Sequence, residues 1–421
     1  MNYIDPIYSF FLASFDFNGI PLNQLCEEWN VEISEGLKIL IKLLIKGDCT
    51  IQCSNNPHII YNNIPETSTS IEDVEKILKD ENPERLLMRT CVYPSPAYLE
   101  QHRSVIGFSP YSKRLALGCP HLQPLFFKFE VLKPYVDNPN YDLQLDDYSG
   151  SLAYRVEEDT KVDKKGYYKL ETFGLGRDER GTRVIVSFPR YLRQLSLSQQ
   201  NHWEANELTS SCDVLDSYLN NILKGSWYFP QSISKGVLNE RMYINDLWEA
   251  IFGERLFKND YTHEDLIREY SFLFIPTSSA LNKFRHFMDK LFSDNMNVKH
   301  IRSLLEEYSH YNPLIQETHI RQLGSLAALE LLMDSIYTLH DGRMVGKEIV
   351  APFKEIRKER QPVAHKIILE DHYDVAYYNS QIEIFKKVYN ALKKLRIILS
   401  SHPKAKEVKA PKGFSDKVYI F

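Results

Sequence analysis

Apolar residues at helical spacing open the chain. Tyr8, Phe11, Leu12 and Phe15 share one helical face, and NGIPLNQLCEEW reads as a turn followed by a short helix. The next run, ISEGLKILIKLLIKGD, carries Leu37, Leu40, Ile41 and Leu44 before Gly47 ends it. CTIQCSNNPHIIY then predicts two strands around an Asn-Asn-Pro turn. NIPETSTSIEDVEKILKDENPE is polar and acidic, with a capping signal before IEDVEKIL, so it reads as a linker plus one short helix. Beyond it FFKFEVLKPYV, YDLQLDDYSGSLAYRVE, GYYKLETFGLG and GTRVIVSFPRYL are strand-like runs separated by Asn-Pro, Ser-Gly and Asp-Glu-Arg-Gly turns. From about Asn245 to Ser401 the period returns to that of helices, and in the last of them Ile382, Phe385, Tyr389, Leu392 and Leu399 form a stripe. The pattern predicts an α+β protein, mainly α. Its expected parts are a three-helix-and-hairpin domain (1–65), a linker with one short helix (66–94), a β-rich middle domain (95–244), a helical bundle (245–402) and a basic tail (403–421).

The order of elements in 1–65 resembles a winged helix-turn-helix, which implies DNA contact through the third helix. That helix offers Lys38, Lys42 and Lys46 amid Glu32 and Glu35, without the Arg, Asn or Gln usual on base edges, so a protein-interaction or structural role stays open beside DNA reading. GLGRDERG lacks the spacing and the following helix of a nucleotide-binding loop. The aromatic residues of the strands read as packing.

Composition narrows this little. The 421 residues are 43% hydrophobic and 25% charged, with a net charge of -5, which singles out neither nucleic acid nor membrane. The distribution says more, because from Arg343 onward 17 Lys and Arg face 9 Asp and Glu. Six scattered cysteines leave only Cys49 and Cys53 as half of a metal site, and no second pair completes it; reduced thiols and no metal or cofactor are expected. The opening residues contain Asp5 and Asp16 and no basic stretch, and LKILIKLLI is too short to span a bilayer. A cytoplasmic protein without membrane contact is the expectation.

The chemistry gathers at FKEIRKERQPVAHKIILE. Ile349, Val350, Phe353 and Ile356 make an apolar face, with Arg357 and Arg360 beside it. In a continuous helix Arg360 and His365 would diverge by about 140°. Pro362 removes a backbone donor and biases Gln361 away from helix, so the chain re-aims and the two side chains can converge. An Arg at a helix C-terminus and a His after it also serve as caps, so a purely structural role stays open for each.

Arg360-Gln361-Pro362-Val363-Ala364-His365, late in a helical bundle, resembles the motif of the HEPN superfamily, many members of which are metal-independent ribonucleases. The resemblance covers the last third of the chain. It implies that Arg360 and His365 are catalytic and that two copies meet in a homodimer with one composite cleft. Histidine can transfer a proton near neutral pH, and a guanidinium can stabilise charge building on phosphate oxygens. Arg357, Lys358, Gln361 and Lys366 would contact RNA, and Glu330 is a candidate carboxylate orienting Arg360 or His365. The implied function is a regulated endoribonuclease of the toxin or anti-phage defence kind, restrained by its other domains or by a regulatory protein. The alternative is a winged-helix DNA-binding regulator with a non-catalytic HEPN-like dimerisation domain; a scaffold binding neither nucleic acid is the third.

Overall fold

The computed structural model describes residues 2–54, 56–60, 71–72, 74–76, 87, 89–102, 107–136, 138–146, 148–155, 169–225, 231–262, 265–266, 270–308, 319–337, 344–360 and 371–420. The architecture is α+β with antiparallel sheets, in two compact units, Met1–Tyr228 and Phe229–Phe421.

The first unit begins with α1 (Asp5–Ala13), β1 (Ile20–Pro21), α2 (Leu22–Trp29), α3 (Ile33–Lys46) and β2 (Cys49–Cys53). Asn30 and Gly47, both in the left-handed region, end α2 and α3 and turn the chain sharply. The expected second strand at HIIY is absent: His58 to Ile60 are not in a strand, and β2 pairs instead with β3 (Thr90–Pro94). The reason is burial. TCVYP is buried along its whole length, so it takes the centre of a three-stranded sheet of order β1-β3-β2 over a core of Ile7, Leu22, Leu25, Trp29, Leu40 and Leu44. The stretch expected to be linker therefore supplies the middle strand.

After α4 (Pro96–Gln101) and α5 (Pro110–Ala116) comes the second sheet: β4 (Leu125–Lys128), β5 (Tyr141–Asp146), β6 (Ser149–Tyr154), β7 (Lys169–Asp178) and β8 (Arg183–Ser187) in the order β4-β8-β7-β6-β5. Two helices, α6 (Pro189–Leu192) and α7 (Leu197–Ala205), precede β9 (Cys212–Val214), which pairs with β7. The last helix of the unit is α8 (Asp216–Lys224). The buried ring of Tyr218 on α8 lies where a Cβ at Gly174 would sit, which explains the glycine in a central strand.

His121 ties the two sheets' surroundings into that one unit. Its Nε2–H donates to the Asp16 carbonyl oxygen (2.7 Å) and its Nδ1 accepts from the Ile60 amide (2.9 Å), while the Asp16 carboxylate holds Arg190 and Arg193 at 3.0 and 2.9 Å. Burial, followed by the effect of Arg190, lowers the His121 pKa from 6.5 to about 4. Between these values the unfolded chain binds a proton that the native unit refuses, so stability is full above pH 6.5 and falls as the pH drops towards 4. The loss expected from this one group is about 3 kcal/mol. Urea unfolding of wild type and His121→Asn at pH 7 and pH 4.5 checks it: the wild type should lose more stability over that interval than the variant.

The second unit is helical. α9 (Ile233–Phe252) starts well before the expected boundary at 245, because Ser232 caps it by accepting from the Lys235 amide and its first turns are buried. The helical period expected from about Asn245 to Ser401 is interrupted before Ser278. Residues 271 to 276 are non-helical, and α10 (Ser278–Asp289) starts after Pro276 with Thr277 as its cap. A π-turn, Lys290–Asp294, continues α10; then follow α11 (Val298–Tyr308), α12 (Ser325–Ile336), α13 (Val345–Arg360) and α14 (Ala376–Ser400). Residues 403–420 fold back rather than trail away. Tyr419 makes a parallel bridge with Ser232, and Phe414 meets Tyr243 of α9 edge to face. No described helix is long and apolar enough to cross a membrane.

Candidate functional site

The last turn of α13 places Arg357 and Arg360, three residues apart, on one side of the helix. Both meet Asp289, the last residue of α10, whose side chain has 0% exposure. Arg357 Nε donates to Oδ1 at 3.2 Å, and Arg360 Nη1 donates to Oδ2. The π-turn beyond Asp289 brings in Asp294, which accepts from Arg357 Nη2 at 3.3 Å. About a third of each arginine stays exposed, so each guanidinium is anchored on one edge and open to a ligand elsewhere.

His286, one turn before Asp289 on α10, faces the same cluster. Partial burial, then the Arg360 and Lys290 cations, hold its pKa below the ordinary histidine value, which favours the neutral imidazole. Arg285 beside it holds Glu359 at 2.7 Å. The N-terminus of α10 is fixed as well: Asp371 accepts from Ser279 N and Ser278 Oγ at 3.0 Å each and from Ser279 Oγ at 2.5 Å. Desolvation raises the Asp371 pKa, but the Ser279 hydrogen bonds outweigh it and bring the pKa to about 2. The chain thus leaves α13 at the C-terminal end of α10 and is caught again at the N-terminal end. Gln361, His365 and Lys366 lie between, outside the described residues.

Glu330 does not orient Arg360. Its carboxylate pairs with Lys354, six residues before Arg360 on α13. The carboxylate on Arg360 is Asp289 instead. Lys358 is exposed, with no ion pair described. Sequence reasoning missed Asp289 and His286, although a signal existed: Asp289 follows Met288 and lies one turn before Phe292, both fully buried, so a carboxylate stands on the apolar side of its helix.

No family model, curated protein or solved structure matches this chain.

Proposed function

We propose that the C-terminal unit is a metal-independent endoribonuclease of HEPN type, acting as a regulated toxin or defence effector through Arg360 and His365 of two copies of the chain. The observation that carries this reading is the anchoring of Arg360 and Arg357 on the buried Asp289 carboxylate, immediately ahead of the segment holding His365. A guanidinium fixed before substrate arrives loses little freedom on meeting a phosphate. In the reaction the RNA 2′-oxygen attacks phosphorus, its proton passes to a histidine, and the 5′-oxygen leaves with a proton, giving a 2′,3′-cyclic phosphate. Arg360 stabilises the charge on the non-bridging oxygens. Arg357 and Lys358 hold flanking phosphates, with Gln361 and Lys366 as further contacts.

The test is cleavage of labelled single-stranded RNA in EDTA by wild type, Arg360→Lys and His365→Ala. Arg360→Lys keeps a cation for Asp289 and so spares the fold, yet loses the fork; both variants should lose about a hundredfold or more in rate. Equal cleavage by all three proteins sinks the assignment.

A second reading, the winged-helix DNA-binding regulator, is favoured by the order α1-β1-α2-α3-β2-β3 and the sheet order β1-β3-β2. On α3, however, Lys38 is engaged by Glu35 at 3.3 Å and Lys46 by Asp48 at 2.6 Å. We therefore assign this part a restraining or targeting role. Sequence-selective duplex binding that is lost in Lys38→Ala/Lys42→Ala, with no RNA cleavage, would favour the regulator.

A further inference from the structure

Beyond α14 the chain folds back on α9 and carries lysines that no carboxylate holds. Val408 and Phe414 both meet Tyr243 of α9: the Val408 carbonyl oxygen accepts from the Tyr243 hydroxyl (3.4 Å), and the Phe414 ring lies edge to face on the Tyr243 ring. The segment 408–414 is therefore a closed loop. Its backbone is fixed by turns in which Val408 N donates to the Ala405 carbonyl oxygen (3.1 Å) and Phe414 N to that of Pro411 (3.0 Å), with Gly413 in the left-handed region. Lys409 and Lys412 lie on the loop and Lys406 just ahead of it, and all three are exposed. Three residues of chain span at most about 10 Å, so these cations are neighbours.

The lysines of α14 are different, because each of the four holds a carboxylate: Lys386 with Glu383 (2.7 Å), Lys387 with Glu355 (2.6 Å), Lys393 with Asp416 (3.6 Å) and Lys394 with Glu348 (2.8 Å). Lys406, Lys409 and Lys412 have no ion pair among the described residues, and Glu407 is the one acidic residue from 404 to 414. Lys404 is not counted with them, since it donates to the Ile251 carbonyl oxygen (3.3 Å) beside Glu249 and Glu307. Asp416 does not balance them either, being taken up by Arg396 and Lys393. Three cations presented from a fixed backbone suit a ligand with anionic groups in a row, because little chain freedom is lost when it binds. A membrane surface would need an apolar face beside the cations, and from Lys404 to Gly413 no large apolar side chain is exposed.

We propose that the loop carrying Lys406, Lys409 and Lys412 binds the phosphate backbone of single-stranded RNA at a distance from the cleavage centre. The polyanion follows from the loop; that it is RNA rests on the ribonuclease reading. Arg396 of α14 packs on Phe414, and Lys394, two residues before it, pairs with Glu348 of α13. The loop is therefore level with Glu348, about 18 Å along α13 from Arg360. At about 3.4 Å per stacked nucleotide, a strand needs about five nucleotides or more to touch both places.

The probe is a fluorescent 2′-O-methyl RNA of about 20 nucleotides, which lacks the attacking hydroxyl and is long enough to reach both places. It is titrated by anisotropy at several salt concentrations against the full chain and its Lys406→Gln/Lys409→Gln/Lys412→Gln variant. The variant should bind about tenfold or more weaker, and its log affinity should fall with log salt less steeply by about 2, from three phosphate contacts at about 0.7 each. In cleavage assays its loss should reside in KM and appear only with strands longer than about five nucleotides. No binding by the wild type, or binding that the variant matches in affinity and salt slope, overturns the loop. Polyglutamate that competes as well as unlabelled RNA would make an acidic protein the ligand and overturn the RNA assignment. Binding lost in the variant, with no cleavage by either protein, leaves the loop standing and sinks the ribonuclease. Cleavage of long strands with KM unchanged in the variant does the reverse.

Discussion

Removing both arginines from Asp289, as in Arg357→Met/Arg360→Met, is expected to destabilise the C-terminal unit by about 3–5 kcal/mol, whereas Asp289→Asn should cost about 1 kcal/mol. The asymmetry follows from exposure. Asp289 is the desolvated partner, with 0% side-chain exposure, while Arg357 and Arg360 are 34% and 32% exposed. Without its arginines the carboxylate is a buried charge with no compensation. Without the carboxylate the arginines turn into water. On the proposed ribonuclease reading, Asp289→Asn stays folded but releases Arg360 from its fixed position, so cleavage falls by about a hundredfold with KM little changed. Urea unfolding and steady-state kinetics on the same preparations check both halves. Equal stability losses in the double variant and in Asp289→Asn would show that the cluster is hydrated, and would remove the argument for a fixed guanidinium.

How far the sequence was legible depends on whether a feature is local. The helical face of Ile349, Val350, Phe353 and Ile356 was plain from spacing alone, and all four are buried. The same holds for most of α14. What spacing hides is partner choice across long loops. β2 passes over the nearby HIIY for a strand about forty residues on, because Thr90–Pro94 is buried throughout and pairs on both edges. Asp289 escaped for the same reason. It lies 68 residues before Arg357, and its place on the apolar side of its helix does not say which cations it meets. Glu330 was the more obvious choice by pattern, yet its carboxylate meets Lys354.

Arg396→Ala should produce a comparable loss of stability at the other end of the unit, about 3–5 kcal/mol at pH 7. Arg396 on α14 donates Nε to Oε2 of Glu240 on α9 at 2.7 Å; Glu240 is wholly buried, and its Oε1 has no hydrogen-bond partner. The guanidinium also reaches Asp416 and packs against the rings of Phe414 and Tyr243, so the folded-back tail shields the pair. Burial raises the Glu240 pKa above 4.5 even with Arg396 opposing it, and removing Arg396 leaves only the upward push. A carboxyl with a raised native pKa keeps a proton that the unfolded chain releases, so the variant's deficit should be small near pH 4 and widen as the pH rises above 4.5. Wild type should lack most of that dependence. In Glu240→Leu/Arg396→Met both charges are gone, and most of the loss should be recovered, since apolar side chains of similar size need no desolvation. Urea unfolding at pH 4.5 and pH 7 on all three proteins decides the matter. A deficit in Arg396→Ala that does not change with pH would mean the arginine acts by packing against Phe414 and Tyr243, with Glu240 hydrated through the tail.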